Sequence, residues 1–196
     1  SAEGGALHHN GDLTLLVDSS TFLDNIATKF GGAIYWDPNA GLSSLTVQNS
    51  TFDANQAYVE GGAVHATRGT LARFIGNRFT ANVSELGGAL YIEDMFGTYA
   101  YDNLFCVNHA NGDGGAAHVS EIATSGWRSN RFVENQAVGK GAGLFHRDAG
   151  FANVMNNHFV ANNAAIRGGA AYFEAAPLNL VNNIVAFQPQ GDGVVV

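Results

Sequence analysis

Two short signatures alternate along the chain at nearly constant spacing, and that periodicity limits the possible folds more than any other property of the sequence. A Gly-Gly pair or close variant begins at Gly4, Gly31, Gly61, Gly87, Gly114, Gly141 and Gly168. Phe-x-x-Asn begins at Phe22, Phe52, Phe79, Phe105, Phe132 and Phe159, with Val185 and Gln188 standing in a decayed seventh copy. From glycine pair to Phe the step is 18 residues in five of the seven copies. A repeat of about 27 residues held this tightly predicts stacked coils, each burying its apolar face against its neighbours.

Aligned on the glycine pair, the copies read as columns. Ile34, Val64, Leu90 and Leu144 share one apolar column, and Trp36, Ile92, Val119 and Phe173 share another two residues on. That alternation is the period of a strand with one face inward. A further apolar column lies five residues before each Phe, and Ser or Asn recurs two before it and Asn three after it. Each copy therefore offers three short strands separated by polar corners. An Asn at a corner can hydrogen-bond its copies above and below and tolerates left-handed backbone. The expected fold is all-β: a right-handed parallel β-helix, a solenoid of about seven coils of ~27 residues, with handedness taken from the usual chirality of parallel crossovers. An antiparallel sandwich is the alternative, but no Asn-Gly turn recurs in register to make its hairpins. Residues 1–196 are expected to form one domain, a segment of a longer surface protein. The one insertion, near Asp37-Pro38-Asn39-Ala40-Gly41, predicts a protruding loop on the second coil.

Composition excludes several functions. The net charge is −8, and the two lysines, Lys29 and Lys140, and seven arginines are scattered, so no basic patch for nucleic acid forms. No apolar run is long enough to insert this segment in a membrane, and no signal peptide is evident. The single cysteine, Cys106, excludes an internal disulfide and is read as a small apolar filler.

With Gly31-Gly32-Ala33-Ile34 and Phe52-Asp53-Ala54-Asn55 in view, the sequence resembles the passenger repeats of chlamydial polymorphic membrane proteins and related bacterial surface β-helix proteins. The resemblance runs through all the copies. It implies an extracellular or outer-membrane passenger, autotransporter-like, that acts in adhesion. The motif residues carry over as determinants of the fold rather than as a site. A single cysteine and the lack of a translocator barrel in this sequence depart from the chlamydial pattern.

Two columns could carry chemistry. His8, Tyr35, His65, Tyr91, His118, Phe145 and Tyr172 face away from the core by parity, and are expected to form an exposed stripe of rings suited to the apolar faces of sugars. The alternative is a ladder that stabilises the sheet by ring contact between coils. Because the three His lie two coils apart, roughly 9–10 Å, they are expected to share no zinc ion, and no metal site or cofactor is expected. Acidic residues form the second column: Asp37, Glu93, Asp94, Glu121, Asp148 and Glu174. Neighbouring carboxylates there would fall about 5–7 Å apart, a spacing that glycosidases use. Glu93 or Asp94 with Glu121 and Asp148 would be the catalytic set of a glycoside hydrolase or lyase; otherwise these are solvated charges that keep the rod soluble. The favoured reading is an adhesive or spacer module whose partner is a polysaccharide or a host or neighbouring cell surface. Its open sheet edges are expected to be completed by flanking coils or by end-to-end self-association.

Overall fold

The structure is a computed structural model that describes every residue except 39–41, so the tip of the expected loop on the second coil lies outside the described residues. Among the described residues every regular element is a β-strand, and every strand pairing is parallel. The strands stack into three sheets of 13, 7 and 6 strands that run the length of a β-solenoid. Each coil contributes a strand after the glycine pair, a second one ahead of the Phe position and a short one carrying it, and the first six add a two-residue strand after the Asn. In the fourth and fifth coils the first two merge into single strands, Leu90–Tyr101 and Ala117–Arg128. No helix of the described residues is long and apolar enough to cross a membrane.

Register confirms the columns residue by residue. Phe79 pairs with Phe52 on one side and Phe105 on the other. The rings of Phe22, Phe52, Phe79, Phe105, Phe132 and Phe159 form one stack, with centroids 4.7–4.9 Å apart. From Phe52 to Phe159 these rings are fully buried. The offset parallel geometry of such pairs adds about 0.5–1.5 kcal/mol each beyond the area they bury. Cys106, next to Phe105, points the other way and is half-buried on the outer face, where burial raises its thiol pKa.

The recurring Asn residues form two ladders inside the corners. Asn108 shows the arrangement: its side-chain oxygen accepts from the Asn82 backbone N–H (3.0 Å) and side-chain amide (2.9 Å). Its own amide donates to the Phe79 carbonyl (3.0 Å) and to the Asn135 side-chain oxygen (2.9 Å). An Asn buried with its amide fully bonded is stabilising, whereas the same group without partners would be costly. The corner itself departs from expectation. The left-handed residue is the one before each ladder Asn, as at Asp102, Ser129 and Asn156 on one ladder and Ala81, Val107 and Glu134 on the other. The Asn is there for its hydrogen bonds, and its neighbour takes the backbone strain.

The glycine pair has two separate reasons. Gly61 has φ 65°, and a Cβ there would meet the Val64 carbonyl oxygen at 2.3 Å. At Gly62 a Cβ would lie 2.1 Å from the carbonyl oxygen of Gly88 in the next coil. One glycine supplies a turn and the other a close approach between coils. That turn also sends the preceding residue back alongside the strand that follows, which decides the fate of the ring stripe.

Candidate functional site

The ring column points outward, as parity requires, but it is not exposed. Tyr35, His65, Tyr91, His118 and Phe145 are all buried; only His8 at one end is exposed, and Tyr172 near the other is partly covered. The expectation of an open aromatic stripe is therefore corrected. Successive rings lie 4.7–5.7 Å apart from His8 to Tyr172, a continuous ladder. Its cover comes from the residue just before each glycine pair. Phe30 packs on both Tyr35 (5.9 Å) and His65 (5.0 Å), and Lys140 lies over the Tyr172 ring at 4.5 Å. On the other flank stands the column of Asp37, Thr67, Glu93, Ser120, Arg147 and Glu174. The ladder is thus the floor of a groove.

In the second to fifth coils this groove widens into a cleft of about 320 Å³. Glu60, His65, Glu93, Asp94 and Glu121 line it together with the Asp37–Arg68 ion pair. Burial works against the charge on Asp37, but Arg68 and the Tyr35 hydroxyl, which donates to it at 2.7 Å, hold its carboxyl below the usual range. Glu60 has no such support. Burial and the neighbouring Glu93 charge push its pKa up to about 7. Glu93 is raised as well, chiefly by burial, with Glu121 and Asp94 adding repulsion against the hydrogen bond it accepts from Tyr91 (3.0 Å). Burial lowers the His65 imidazole to about 3. One ligand atom each from Glu60, His65 and Glu93 lie within 4.8 Å of one another.

The expected acidic set is only partly assembled. Glu93, Asp94 and Glu121 line the cleft, whereas Asp148 lies outside its lining and pairs with Arg147 at 3.4 Å. Nor do the acids form one column. Glu93 registers with Thr67 and Ser120, whereas Asp94, Glu121 and Asp148 occupy the left-handed residue that follows, at φ 47°, 51° and 47°. A residue at such a bend points its side chain differently from its strand neighbour. Glu174 sits in the Glu93 column and faces Lys140 at 4.0 Å.

Glu60 was absent from the sequence expectation, although a signal for it exists. An acid stands five residues before each His of the stripe, as Glu3, Glu60 and Asp113, across the intervening Gly-Gly. The Gly-Gly turn brings each back toward its ring: the Glu3 carboxylate is 3.8 Å from His8, and that of Glu60 is 3.5 Å from His65 Nδ1.

A second recess opens on the adjoining face of the solenoid. Tyr99 and Tyr101, with ring centroids 6.0 Å apart, stand beside Gly126, Arg128, Asn153 and Met155 around about 200 Å³. A Cβ on Gly126 would come within 2.7 Å of the Tyr99 ring, so the glycine keeps the recess open.

A family model described as the Chlamydia polymorphic membrane protein (Chlamydia_PMP) repeat matches residues 19–35. That stretch holds one copy of each signature, Phe22-Leu23-Asp24-Asn25 and Gly31-Gly32-Ala33-Ile34. No curated protein and no solved structure matches the chain. The matched repeat and the parallel β-solenoid together are consistent with a surface-associated β-helix protein of bacterial type.

Proposed function

We propose that the chain is a rigid module displayed on the outside of a bacterial cell, acting in adhesion by holding glycan in the Tyr99–Tyr101 recess. The carrying observation is that recess: two partly open tyrosine rings, a glycine that leaves room between them and the next coil, and Arg128 and Asn153 at the rim. Apolar ring faces with a few convergent polar groups are what a sugar ring requires. The ladder first suited to that role lies under Phe30 and its column mates, so it stiffens the rod instead of touching a partner. Stacked coils joined by uninterrupted Asn and Phe ladders fit a spacer that holds a contact face away from the cell.

The test is retention of the purified chain on an array of bacterial and host polysaccharides, with glycan length read in parallel. Retention without shortening, lost in Tyr99→Ala and in Gly126→Val, is the result this reading predicts. Shortening that disappears with Glu93→Gln or Glu121→Gln would replace it with a polysaccharide-degrading enzyme working in the acidic cleft. Neither signal would leave a spacer without a glycan contact.

A further inference from the structure

We infer that Glu60, His65 and Glu93 form a binding site for one divalent transition-metal ion, zinc foremost, at the floor of the acidic cleft. The donor set is one imidazole nitrogen and two carboxylates, the mixture that zinc accepts and that harder calcium or magnesium sites avoid. Three donors from the protein leave a fourth position open toward the cleft.

Two independent observations carry this beyond a cluster of acids. First, His65 Nδ1 is buried and has no hydrogen-bond partner, in a residue only 2% exposed, and it faces the Glu60 carboxylate at 3.5 Å. A buried nitrogen left unpaired is costly, and a bound cation would remove that cost. Second, the donors are already gathered and held. The three ligand atoms lie within 4.8 Å of one another, and on a tetrahedral zinc with bonds of about 2.0–2.2 Å they would close to roughly 3.4 Å. Glu60 and Glu93 are long enough to make that small movement by side-chain rotation. His65 need not move, because its ring is packed against Phe30, Tyr35 and Tyr91 at 5.0, 5.2 and 5.1 Å. Tyr91 orients Glu93 by donating to Oε2, which leaves Oε1 for an ion. Supporting contacts of this kind set ligand direction at metal centres.

The local charge balance agrees. Two carboxylates gather beside the buried imidazole, and the nearby guanidinium of Arg68 is engaged by Asp37. A divalent cation supplies the missing positive charge. A proton on Glu60 is the competing occupant of the same gap. The site is independent of the tyrosine recess, and either can fail without the other.

The experiment is calorimetric titration of zinc chloride into the purified chain after chelator treatment and dialysis, repeated with His65→Phe, Glu60→Gln, Glu93→Gln and His118→Phe. Phe already occupies this ladder at Phe145, so His65→Phe removes the donor and keeps the ring. Glu60→Gln and Glu93→Gln test the same ion with every ladder ring kept in place. The expected result is one ion per chain, with affinity lowered by at least about tenfold in each of the three site variants and unchanged in His118→Phe. Cobalt in place of zinc should give the visible absorption of a nitrogen-and-oxygen site in the wild-type chain and lose it in His65→Phe. Equal affinity in the wild-type chain and the three folded site variants would overturn the inference. So would an absence of zinc binding to the wild-type chain.

Discussion

His65 and His118 occupy the same column two coils apart, and comparing their surroundings separates what the repeat supplies from what individual residues supply. Both rings are buried in the ladder, and burial lowers both imidazoles to about 3. Their flanks differ. Beside His65 stand Glu60 and, one coil on, Glu93. The residue equivalent to Glu60 in the His118 coil is Asp113, one methylene shorter, and its carboxylate accepts from the Lys140 backbone N–H at 2.7 Å. The residue equivalent to Glu93 in the coil after His118 is Arg147, whose charge further disfavours protonation of His118. The coil geometry sets burial, and the two variable columns on either side set the chemistry. A repeat protein can thus change a site in one coil and leave the frame intact.

The largest predicted effect removes the frame that both histidines share. Asn108→Ala deletes four buried side-chain hydrogen bonds and takes a partner from the Asn82 backbone N–H, the Asn82 amide and the Phe79 carbonyl, while Asn135 keeps its bond from the residue 108 backbone N–H. The loss should be roughly 3–5 kcal/mol in denaturant unfolding. A loss below about 1 kcal/mol would mean that water replaces the ladder at no cost.

Acid should act next. Each lowered imidazole contributes stability that is present above its unfolded pKa near 6.5 and is lost as pH falls toward its folded value, about 3 for His65 and His118 and about 4 for His146. Glu60 works in the opposite sense, since its raised pKa of about 7 gives a contribution that is present below 4.5 and lost as pH rises through 7. Between pH 7 and 4.5 it offsets part of the loss near His65, and nothing equivalent offsets His118. Stability should fall by several kcal/mol, on the order of 5, between pH 6.5 and 3.5. His118→Phe should flatten that fall, and an unchanged slope would contradict the sign worked out here.

A transplant would sharpen the comparison. Asp113→Glu with Arg147→Glu gives His118 the flanks of His65, and zinc stoichiometry should rise from one ion toward two. Unchanged stoichiometry would show that donor identity alone does not make the site. Smaller still, Glu60→Gln should stabilise the metal-free chain at pH 8 by about 1 kcal/mol, after allowance for solvent screening of a partly open group. Val107 is β-branched at φ 56°, so Val107→Gly should add about 1 kcal/mol or less.

Coil number, strand register and the inward Phe and Asn columns were legible because each rests on a residue type repeated at fixed spacing. Burial of the ring stripe was not. Parity tells which way Tyr35 and Tyr91 point, but not that Phe30 and Glu60 fold back beside them through the glycine turn. The acids misled for a related reason: Glu93 and Asp94 are neighbours in sequence, yet the left-handed bend at Asp94 places them in different columns. The strained position ahead of each ladder residue left a trace on one ladder, where Ser19, Asn49, Gly76, Asp102, Ser129, Asn156 and Asn182 are all turn-forming types, and none on the other, where Ala, Val, Glu and Phe occur. The acid–Gly–Gly spacing to His65 is likewise written in the sequence, as Glu3, Glu60 and Asp113 five residues before His8, His65 and His118.

The most direct test of the account follows the imidazole resonances of His65 and His118 by NMR as pH falls from 8 to 5. Buried ladder rings predict that neither signal shows its own protonation over that range, while His65 alone reports the carboxyl titration of Glu60 near 7. Either ring titrating with a midpoint near 6.5 would place it in water, and the groove, its cover and the site built on it would all be wrong.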